Sequence, residues 1–296
     1  MFLIVRSSGG LANRMFQYSL YKNFEAKDFN VFLDDSYIAR KWDFENVSLK
    51  DIFSNVEFRC PNKSQILKVC GGYDKFSTLW RHIPLIKNRI CFFYKCRDGF
   101  DKYIFNNRNN KAYLIGTFQS EKFFEDIKNQ IRHDFEFMPF ADKRNNERKQ
   151  RMIEENSVAI HVRKGLDYNK NIIKGCCNIT FYHKAIEYIK THVNNPKFYV
   201  FTDNIDWVKT NFQRFNLNYT LIDGNPISGY GNWIDMQLMS CAKHNIIANS
   251  TYSWWGAWLN SNPDKIVIAP LKWFNETYTL KNSRELEIVP NMWITL

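Results

Sequence analysis

The second half of the chain alternates short apolar runs with amphipathic segments, and this alternation constrains the fold more than any other feature. Runs rich in β-branched and aromatic residues predict strands, and apolar residues at helical spacing predict helices. The predicted strands are 157–162, 197–202, 218–223, 245–249 and, as the last one, 265–270; the predicted helices are 180–193, 204–212, 232–244 and 253–260. Strands that alternate with helices in this way form a parallel sheet covered on both faces.

The first half is less regular but starts in the same manner. A strand, a Gly-Gly turn and a helix open the chain, and Ser120 is the expected N-cap of a later helix. The predicted elements are strands 2–6, 31–33 and 112–118, helices 11–27 and 120–135, and a polar turn at 105–111. Residues 35–105 are aromatic-rich and show no clear pattern. The charged segment 141–156 is typical of an exposed helix or a linker, so we predict two α/β domains, 1–150 and 151–296.

Composition excludes several classes of protein. With 45% hydrophobic residues among 296, the chain can form a large core, and no apolar run approaches the ~18 residues of a membrane span. The initial apolar run stops at Arg6, which is too short for a signal peptide and favours a cytoplasmic location. Seven cysteines without a CxxC pair predict reduced thiols and argue against a structural zinc site.

The net charge of +11 suits an anionic partner, which can be nucleic acid, an anionic membrane face or a phosphorylated substrate. A lysine-rich solvated surface explains the same charge. No RNA-binding signature or zinc finger is present, so we expect no nucleic-acid partner.

Polar segments follow three of the predicted strands. They are HVRKGLDY (161–168), TDN (202–204) and NSTYSWW (249–255), the last of which opens a helix. Ligands of parallel sheets bind outside the carboxyl ends of the strands. The three segments are therefore expected on one edge of the sheet, as a candidate ligand site.

The residue types in these segments suit a diphosphate. The Arg163 guanidinium can bind two phosphate oxygens, and a helix N-terminus with hydroxyls is a ready anion site. Each residue also has a structural explanation: helix capping for Ser250 and Ser253, a hydrogen-bonded core histidine for His161, and a salt bridge for Arg163. Their convergence on one edge favours a nucleoside diphosphate.

A carboxylate at Asp235 adds a possible base contact. It can accept hydrogen bonds from guanine N1–H and N2–H together, a donor pair that adenine lacks. An aspartate near a helix start that is favoured by the helix dipole is an equally good explanation. The tryptophans of the final predicted helix are expected to pack it on the sheet; they are Trp254, Trp255 and Trp258.

Five motifs, in order along nearly the whole chain, resemble those of glycosyltransferase family 11, the bacterial α-1,2-fucosyltransferase type. They are GGLANRMFQYSL (9–20), GTFQSEKFF (116–124), HVRKGLDY, FYVFTDNIDWVK (198–209) and DMQLMSCAKHNIIANSTYSWWGAWLN (235–260). Five ordered motifs are much more specific than any one of them.

The resemblance implies an α/β, GT-B-type architecture of two Rossmann-like domains facing across a cleft. It implies inverting transfer of L-fucose from GDP-β-L-fucose to a galactoside, typically the 2-hydroxyl of galactose in an O-antigen-type glycan, without an essential metal or other cofactor. The C-terminal domain would hold GDP-fucose and the N-terminal domain the galactose-containing acceptor. Peripheral contact with the anionic inner membrane face, where lipid-linked acceptors sit, would also suit the charge.

By the same resemblance, particular positions acquire donor-site roles. Arg163 would be the catalytic contact to the donor phosphate, and His161 would lie near the nucleoside. Asp235 would hold guanine, and Ser250 and Thr251 would hold phosphate.

This chain departs from the family pattern at two places. Leu166 shifts Asp167, a candidate general base, by one residue, and Ala12 and Arg14 replace a family Gly and Gln. In the glycine turn, Gly10 and Asn13 are expected to approach the donor, with helix capping as the alternative for Asn13. Arg14 is either a second cation of the cleft or a surface charge.

Two other functions remain open from sequence. One is a related GT-B transferase with another nucleotide sugar or linkage. The other is a non-catalytic binding module for a glycan or a polyanion. The sequence carries no prediction of oligomeric state.

Overall fold

The computed structural model describes residues 2–36, 47–70, 93–96, 100, 104–105, 111–165, 175–227, 229–275 and 287–296. The chain forms two compact units: Met1–Glu136 with Leu286–Ile288, and Phe137–Glu285 with Val289–Leu296. Each unit is built on a parallel sheet with helices, so the predicted α/β class is confirmed.

The first unit contains a sheet in the order β2-β1-β4-β3, in which all the pairings are parallel. Its strands are β1 (Phe2–Arg6), β2 (Asn30–Asp34), β3 (Phe93–Cys96) and β4 (Lys111–Gly116). Its helices are α1 (Leu11–Ala26), α2 (Leu49–Ile52), α3 (Lys63–Cys70), a 3-10 helix (Glu121–Ile127) and α4 (Lys128–Asp134).

Sequence patterns located β1, α1, β2 and β4 but missed α2, α3 and β3. A one-turn helix such as α2 has too few residues for a periodic signal; it is held by a capping box between Ser48 and Asp51. Ser120 is the N-cap that was predicted, but the helix after it is a 3-10 segment followed by α4, with non-helical backbone at Phe124.

The second unit contains a sheet in the order β10-β9-β8-β5-β6-β7, again with parallel pairings. Its strands are β5 (Ser157–Val162), β6 (Lys197–Thr202), β7 (Tyr219–Ile222), β8 (His244–Ile246), β9 (Val267–Ala269) and β10 (Ile294–Thr295). Its helices are α5 (Lys143–Glu154), α6 (Ile179–His192), α7 (Ile205–Phe212), a 3-10 helix (Gln213–Phe215), α8 (Ile234–Ser240) and α9 (Thr251–Leu259).

The expectation that 265–270 is the last strand is wrong. The chain returns to the second unit, and β10 pairs with β9 through Ile294 beside Ile268. A two-residue strand carries no alternation that sequence could show, because only its pairing defines it.

The charged segment 141–156 forms α5, which packs against β5 and α8 of the second unit. Its N-cap is Asp142, whose side chain accepts from the backbone N–H of Asn145. The proposed domain limit between residues 150 and 151 falls inside this helix, whereas the compact units divide after Glu136.

The strand order of the second sheet predicts where a ligand would bind. From the central strand β5 the chain adds β6 and β7 on one side, then crosses back to place β8 on the other. Ligands bind at such a switch point, outside the carboxyl ends of the strands. The expected ligand site of this sheet therefore lies where β5 and β8 end. Every residue of β5 is buried, and the tryptophans of α9 are buried as predicted.

Candidate functional site

Arg163 and Ser250 meet at the switch point. Arg163 follows β5 directly, and its Nη1 donates a hydrogen bond to Ser250 Oγ at 3.3 Å. Within the described part of the chain Arg163 forms no ion pair, so the salt-bridge explanation is not what the structure shows. The guanidinium has five N–H donors, so most of them stay available to an anion at this edge.

Ser250 is the N-cap residue of α9, but its hydroxyl does not cap the helix. The side chain is 2% exposed and accepts from Arg163 instead. The hydroxyl of Ser253 is used inside the helix, where it donates to the carbonyl of Ser250 at 3.3 Å. The backbone N–H groups of a first helical turn have no partner within the helix, which makes this terminus beside Arg163 suitable for a phosphate. Thr251 is the first residue of α9 and is half-buried there.

The predicted segment TDN (202–204) fixes the turn after β5. The Asp203 Oδ1 accepts from the backbone N–H groups of Lys164 at 2.6 Å and Gly165 at 2.8 Å. A side chain at Gly165 would collide with the Asp203 carboxylate in its present position, so glycine leaves room for this contact. Asn204 Nδ2 donates to the carbonyl of Lys164 at 3.1 Å. The ends of β5 and β6 are thus joined, and Arg163 projects from a turn held on both sides.

The ammonium group of Lys164 is engaged by contacts within the protein. Its Nζ donates to the carbonyl of Cys177 at 2.6 Å and lies 5.0 Å from the ring centroid of Trp207. Burial lowers the pKa of this amine. Of the two cations in the described part of this turn, Arg163 is therefore the better candidate for binding an anion.

His161 is buried near the end of β5, with its ring centroid 6.0 Å from that of Tyr252. Its Nδ1 is buried and has no hydrogen-bond partner among the described residues, unlike the fully bonded core histidine considered as an alternative. Burial, with a smaller contribution from Arg163, lowers the pKa of His161 to about 3. The ring is therefore neutral at physiological pH.

Asp235 lies in the first turn of α8 and is half-buried. Its Oδ1 accepts from Asn225 Nδ2 at 2.7 Å. Burial raises the pKa of the carboxyl group, while Arg148 and Arg144 act in the opposite direction. A surface aspartate placed only by the helix dipole would not be held in this way. Sequence patterns did not identify Asn225, and its position in the turn 223–226 was the only signal.

The glycine turn of the first unit is held from within that unit. Gly9 has φ +82°, a left-handed conformation that favours glycine, and Gly10 is the N-cap residue of α1. Asn13 Oδ1 accepts from Gln119 Nε2 at 2.9 Å, so its side chain does not cap the helix. Gln17 Nε2 donates to the carbonyl of Gly116 at 2.8 Å and ties the turn to β4. The donor-site roles of Gly10 and Asn13 stay predictions.

Arg14 is not a surface charge. It is 1% exposed, and its Nη1 donates to the carbonyl of Val47 at 2.6 Å. Position in α1 explains this, because most of that helix faces the core of the unit. The surface-charge alternative for Arg14 is therefore wrong.

Asp167, the candidate general base, and Leu166 lie outside the described residues. In the described ranges, no cluster of three or more His, Cys, Asp or Glu side chains is arranged to hold a metal ion. No helix in those ranges has the length and apolar character needed to cross a membrane.

Comparison with known proteins decides the family. The model of glycosyl transferase family 11 matches residues 75–295. The chain belongs to this family. It is a glycosyltransferase, and the resemblance seen in the five motifs is confirmed.

Two curated relatives from Escherichia coli match along their whole length. The chain is 30% identical to an alpha-1,2-colitosyltransferase, over 99% of this chain and 98% of that protein. It is 29% identical to the O-antigen biosynthesis glycosyltransferase WbnK, over 98% of both. Among solved structures, a mutant of Arabidopsis thaliana FUT1 in complex with GDP has a TM-score of 0.52 at 12% identity, over 90% of this chain and 70% of that one. This likeness supports the GT-B-type fold class that was expected.

Proposed function

We propose that the protein transfers L-fucose from GDP-β-L-fucose to the 2-hydroxyl of a galactose unit, with inversion, during synthesis of an O-antigen-type glycan. The observation that carries the proposal is the Arg163–Ser250 pair beside the N-terminus of α9, at the switch point of the second sheet. Family membership, and relatives named for α-1,2 transfer and for O-antigen biosynthesis, support the reaction class and the setting.

The chemistry requires stabilisation of a leaving diphosphate. The acceptor oxygen forms a bond to fucose C1 while the bond from C1 to the β-phosphate oxygen breaks, and the acceptor hydroxyl loses its proton. An oxocarbenium-like transition state leaves growing negative charge on that phosphate. Arg163 and the amides of the α9 N-terminus supply fixed positive charge where it develops. This explains how transfer can proceed without a metal, which we propose; activity that survives EDTA treatment would support it and strict dependence on added Mg²⁺ would contradict it.

Neutral His161 suits the inner part of the donor site. Because the ring is uncharged, it does not compete with Arg163 for the phosphate, and its Nδ1, which has no partner among the described residues, can bond to the nucleoside. Thr251, at the start of α9, would add a hydroxyl to the phosphate. We assign Gly10 and Asn13 to the donor from the family motif alone.

The general base is proposed to be Asp167. Its side chain would take the proton of the acceptor hydroxyl, a contribution typically worth 10²–10⁴ in rate. The pH–rate profile of Asp167→Asn tests this assignment. Loss of the acid limb together with a large fall in kcat supports it, and an unchanged rate and profile exclude it.

The relatives point to a second possible donor sugar, because one of them is named a colitosyltransferase. Colitose is fucose without its 3-hydroxyl, so GDP-colitose is the second candidate donor. The deciding experiment incubates the enzyme with GDP-fucose or GDP-colitose and a panel of galactosides, then assigns the linkage by NMR. An α-1,2-fucosyl galactoside is expected, and preferred use of GDP-colitose would replace the donor.

Calorimetry with free nucleotides tests the donor class without an acceptor. We expect GDP to bind much more tightly than UDP or ADP, and Asp235→Ala to remove that preference. Equal affinity for the three nucleotides would contradict guanine recognition. Salt-steep DNA binding without GDP affinity would instead indicate a polyanion-binding module.

The net charge of +11 also supports peripheral attachment of a cytoplasmic enzyme to the anionic inner membrane face. Co-sedimentation with anionic vesicles that is lost at high salt is the expected result. Equal binding to neutral vesicles would contradict an electrostatic attachment.

A further inference from the structure

Asp235 is held by a network that the proposed reaction does not itself explain. Asn225, in the turn that follows β7, donates from Nδ2 to Asp235 Oδ1 at 2.7 Å. The network continues to α5, the helix that packs against α8. It therefore connects the carboxylate to a second element of the same unit.

The surroundings of Asn225 fix which end of its amide faces the carboxylate. Its Oδ1 accepts from Arg144 Nη2 at 3.2 Å and from Asn145 Nδ2 at 2.9 Å. With two donors at the oxygen, the nitrogen must face Asp235. Asn145 is buried and is itself held by Asp142, the N-cap of α5, at 2.8 Å.

Gly224 lets Arg144 reach this position. The Arg144 Nη2 donates to the carbonyl of Gly224 at 2.9 Å, and any side chain at Gly224 would collide with the guanidinium. Gly224 also has φ +71°, a conformation that favours glycine. The turn is thus shaped around the arginine that orients Asn225.

The carboxylate keeps acceptor capacity for a ligand. A carboxylate has about four lone-pair sites, and Asn225 occupies one of those on Oδ1. Among the described residues, the charged groups that act on the pKa of Asp235 are Arg148 and Arg144 of α5, and Arg148 also forms an ion pair with Asp223. The Tyr252 hydroxyl of α9 accepts from the N–H of Met236, the next residue in sequence. A planar pair of N–H donors would complete the hydrogen bonding of this partly desolvated group.

We propose that Asn225 is a positioning residue for base recognition: it fixes the plane of the Asp235 carboxylate so that both oxygens meet the N1–H and N2–H groups of guanine. This rests on the proposed GDP-sugar donor. Without the Asn225 donor the carboxylate loses a fixed orientation and an interaction that favours its ionised form. The contact to the 2-amino group requires the second carboxylate oxygen to lie in the plane of the base. It therefore depends on Asn225 more than the contact to N1–H does.

Inosine diphosphate is the probe, because its base has the N1–H of guanine but lacks the 2-amino group. Calorimetry should give the wild type about a tenfold preference for GDP over IDP, the effect of one charge-assisted hydrogen bond. In Asn225→Ala, GDP affinity should fall about tenfold and the GDP/IDP ratio should approach one. The fall of GDP affinity in acid should begin at higher pH, because protonation of Asp235 becomes easier.

Asn225→Asp is the second variant, which keeps the side-chain shape and the contact to Arg144 but places an acceptor against Asp235. Its GDP affinity should fall further than that of Asn225→Ala, with the same upward pH shift. Asn211→Ala is the matched control, because Asn211 is also half-buried and donates one hydrogen bond, to the Trp207 carbonyl at 2.8 Å. It should leave the GDP/IDP ratio and the pH profile unchanged.

The outcomes separate the two proposals. If Asn225 variants weaken GDP and IDP equally with no pH shift, Asn225 is only structural and the inference is wrong. If the wild type binds GDP and ADP with equal affinity, and Asp235→Ala binds GDP as tightly as the wild type does, the proposed base recognition itself fails. Loss of the GDP/IDP ratio in both Asn225 variants, with Asn211→Ala normal, supports the inference.

Discussion

Replacement of Arg163 by lysine is the sharpest test of the donor site, because it keeps the positive charge and removes the planar, forked guanidinium group. The guanidinium has five N–H groups in a fixed fork, and one of its nitrogens is used by Ser250 Oγ at 3.3 Å. The remaining donors can bind two phosphate oxygens at once. A lysine ammonium is a point charge and cannot reproduce this geometry.

The size of the effect follows from what is lost. Removal of one preorganised donor to a transition-state anion costs about 10²–10³ in kcat, or roughly 3–4 kcal/mol. Arg163→Lys loses at least one such donor, so kcat should fall about 10²-fold or more. Arg163→Ala loses the charge as well and should fall beyond about 10³-fold.

The assay measures GDP release at saturating donor and acceptor, with GDP affinity measured separately by calorimetry and Tm measured for each variant. Arg214→Ala is the control, because Arg214 is an exposed arginine of the same unit in the 3-10 helix Gln213–Phe215. It should retain wild-type kcat. If Arg163→Lys also retained wild-type kcat, two-oxygen phosphate binding by Arg163 would be refuted.

Three further predictions concern stability. Burial holds the pKa of His161 at about 3 against the usual 6.5, so the unfolded chain binds a proton that the folded chain does not, and stability should be lost as pH falls from 6.5 towards 3; Tm measured between pH 7 and pH 5 should fall less in His161→Gln, and parallel curves would contradict this. Gly9→Ala should lower the free energy of urea unfolding by about 1–2 kcal/mol, because φ is +82° and the new Cβ would crowd Asn13; Gly9→Asn should cost less, and equal losses would argue against conformational strain. Arg14→Gln should lower the free energy of unfolding by about 1–3 kcal/mol, because the Val47 carbonyl loses its donor, while GDP affinity stays unchanged; a large loss of GDP affinity with normal Tm would instead support Arg14 as a second cation of the cleft.

Much of the second unit was predictable because its signals are local. The whole of β5 is buried, and four of its six residues are apolar. The side chains of Asn178 and Asn204 cap α6 and α7, which begin at the next residue. Parallel strands bring their carboxyl ends to one edge. Topology alone therefore predicts that Arg163 and Ser250 lie close together.

Elements that hydrophobic periodicity does not reveal were missed or assigned the wrong type. The strand β10 exists because Ile294 pairs with Ile268, and α2 is a single turn with a capping box. The helix after Ser120 has the periodicity of an α-helix, but the non-helical backbone at Phe124 divides it. Pairing with a distant strand decided β10, whereas α2 is too short for a periodic signal, so periodicity reveals neither element.

The sequence by itself determined the fold class, the family and the edge of the sheet that carries the donor-site candidates. Apolar patterns, helix caps and ordered motifs depend on residues that are close together in the sequence. Only the tertiary structure decided the state of the individual side chains. It buried Arg14, left Nδ1 of His161 without a partner among the described residues, and joined Asn225 to Asp235. The physical reason is that exposure, hydrogen bonding and pKa depend on neighbours brought together from distant parts of the chain.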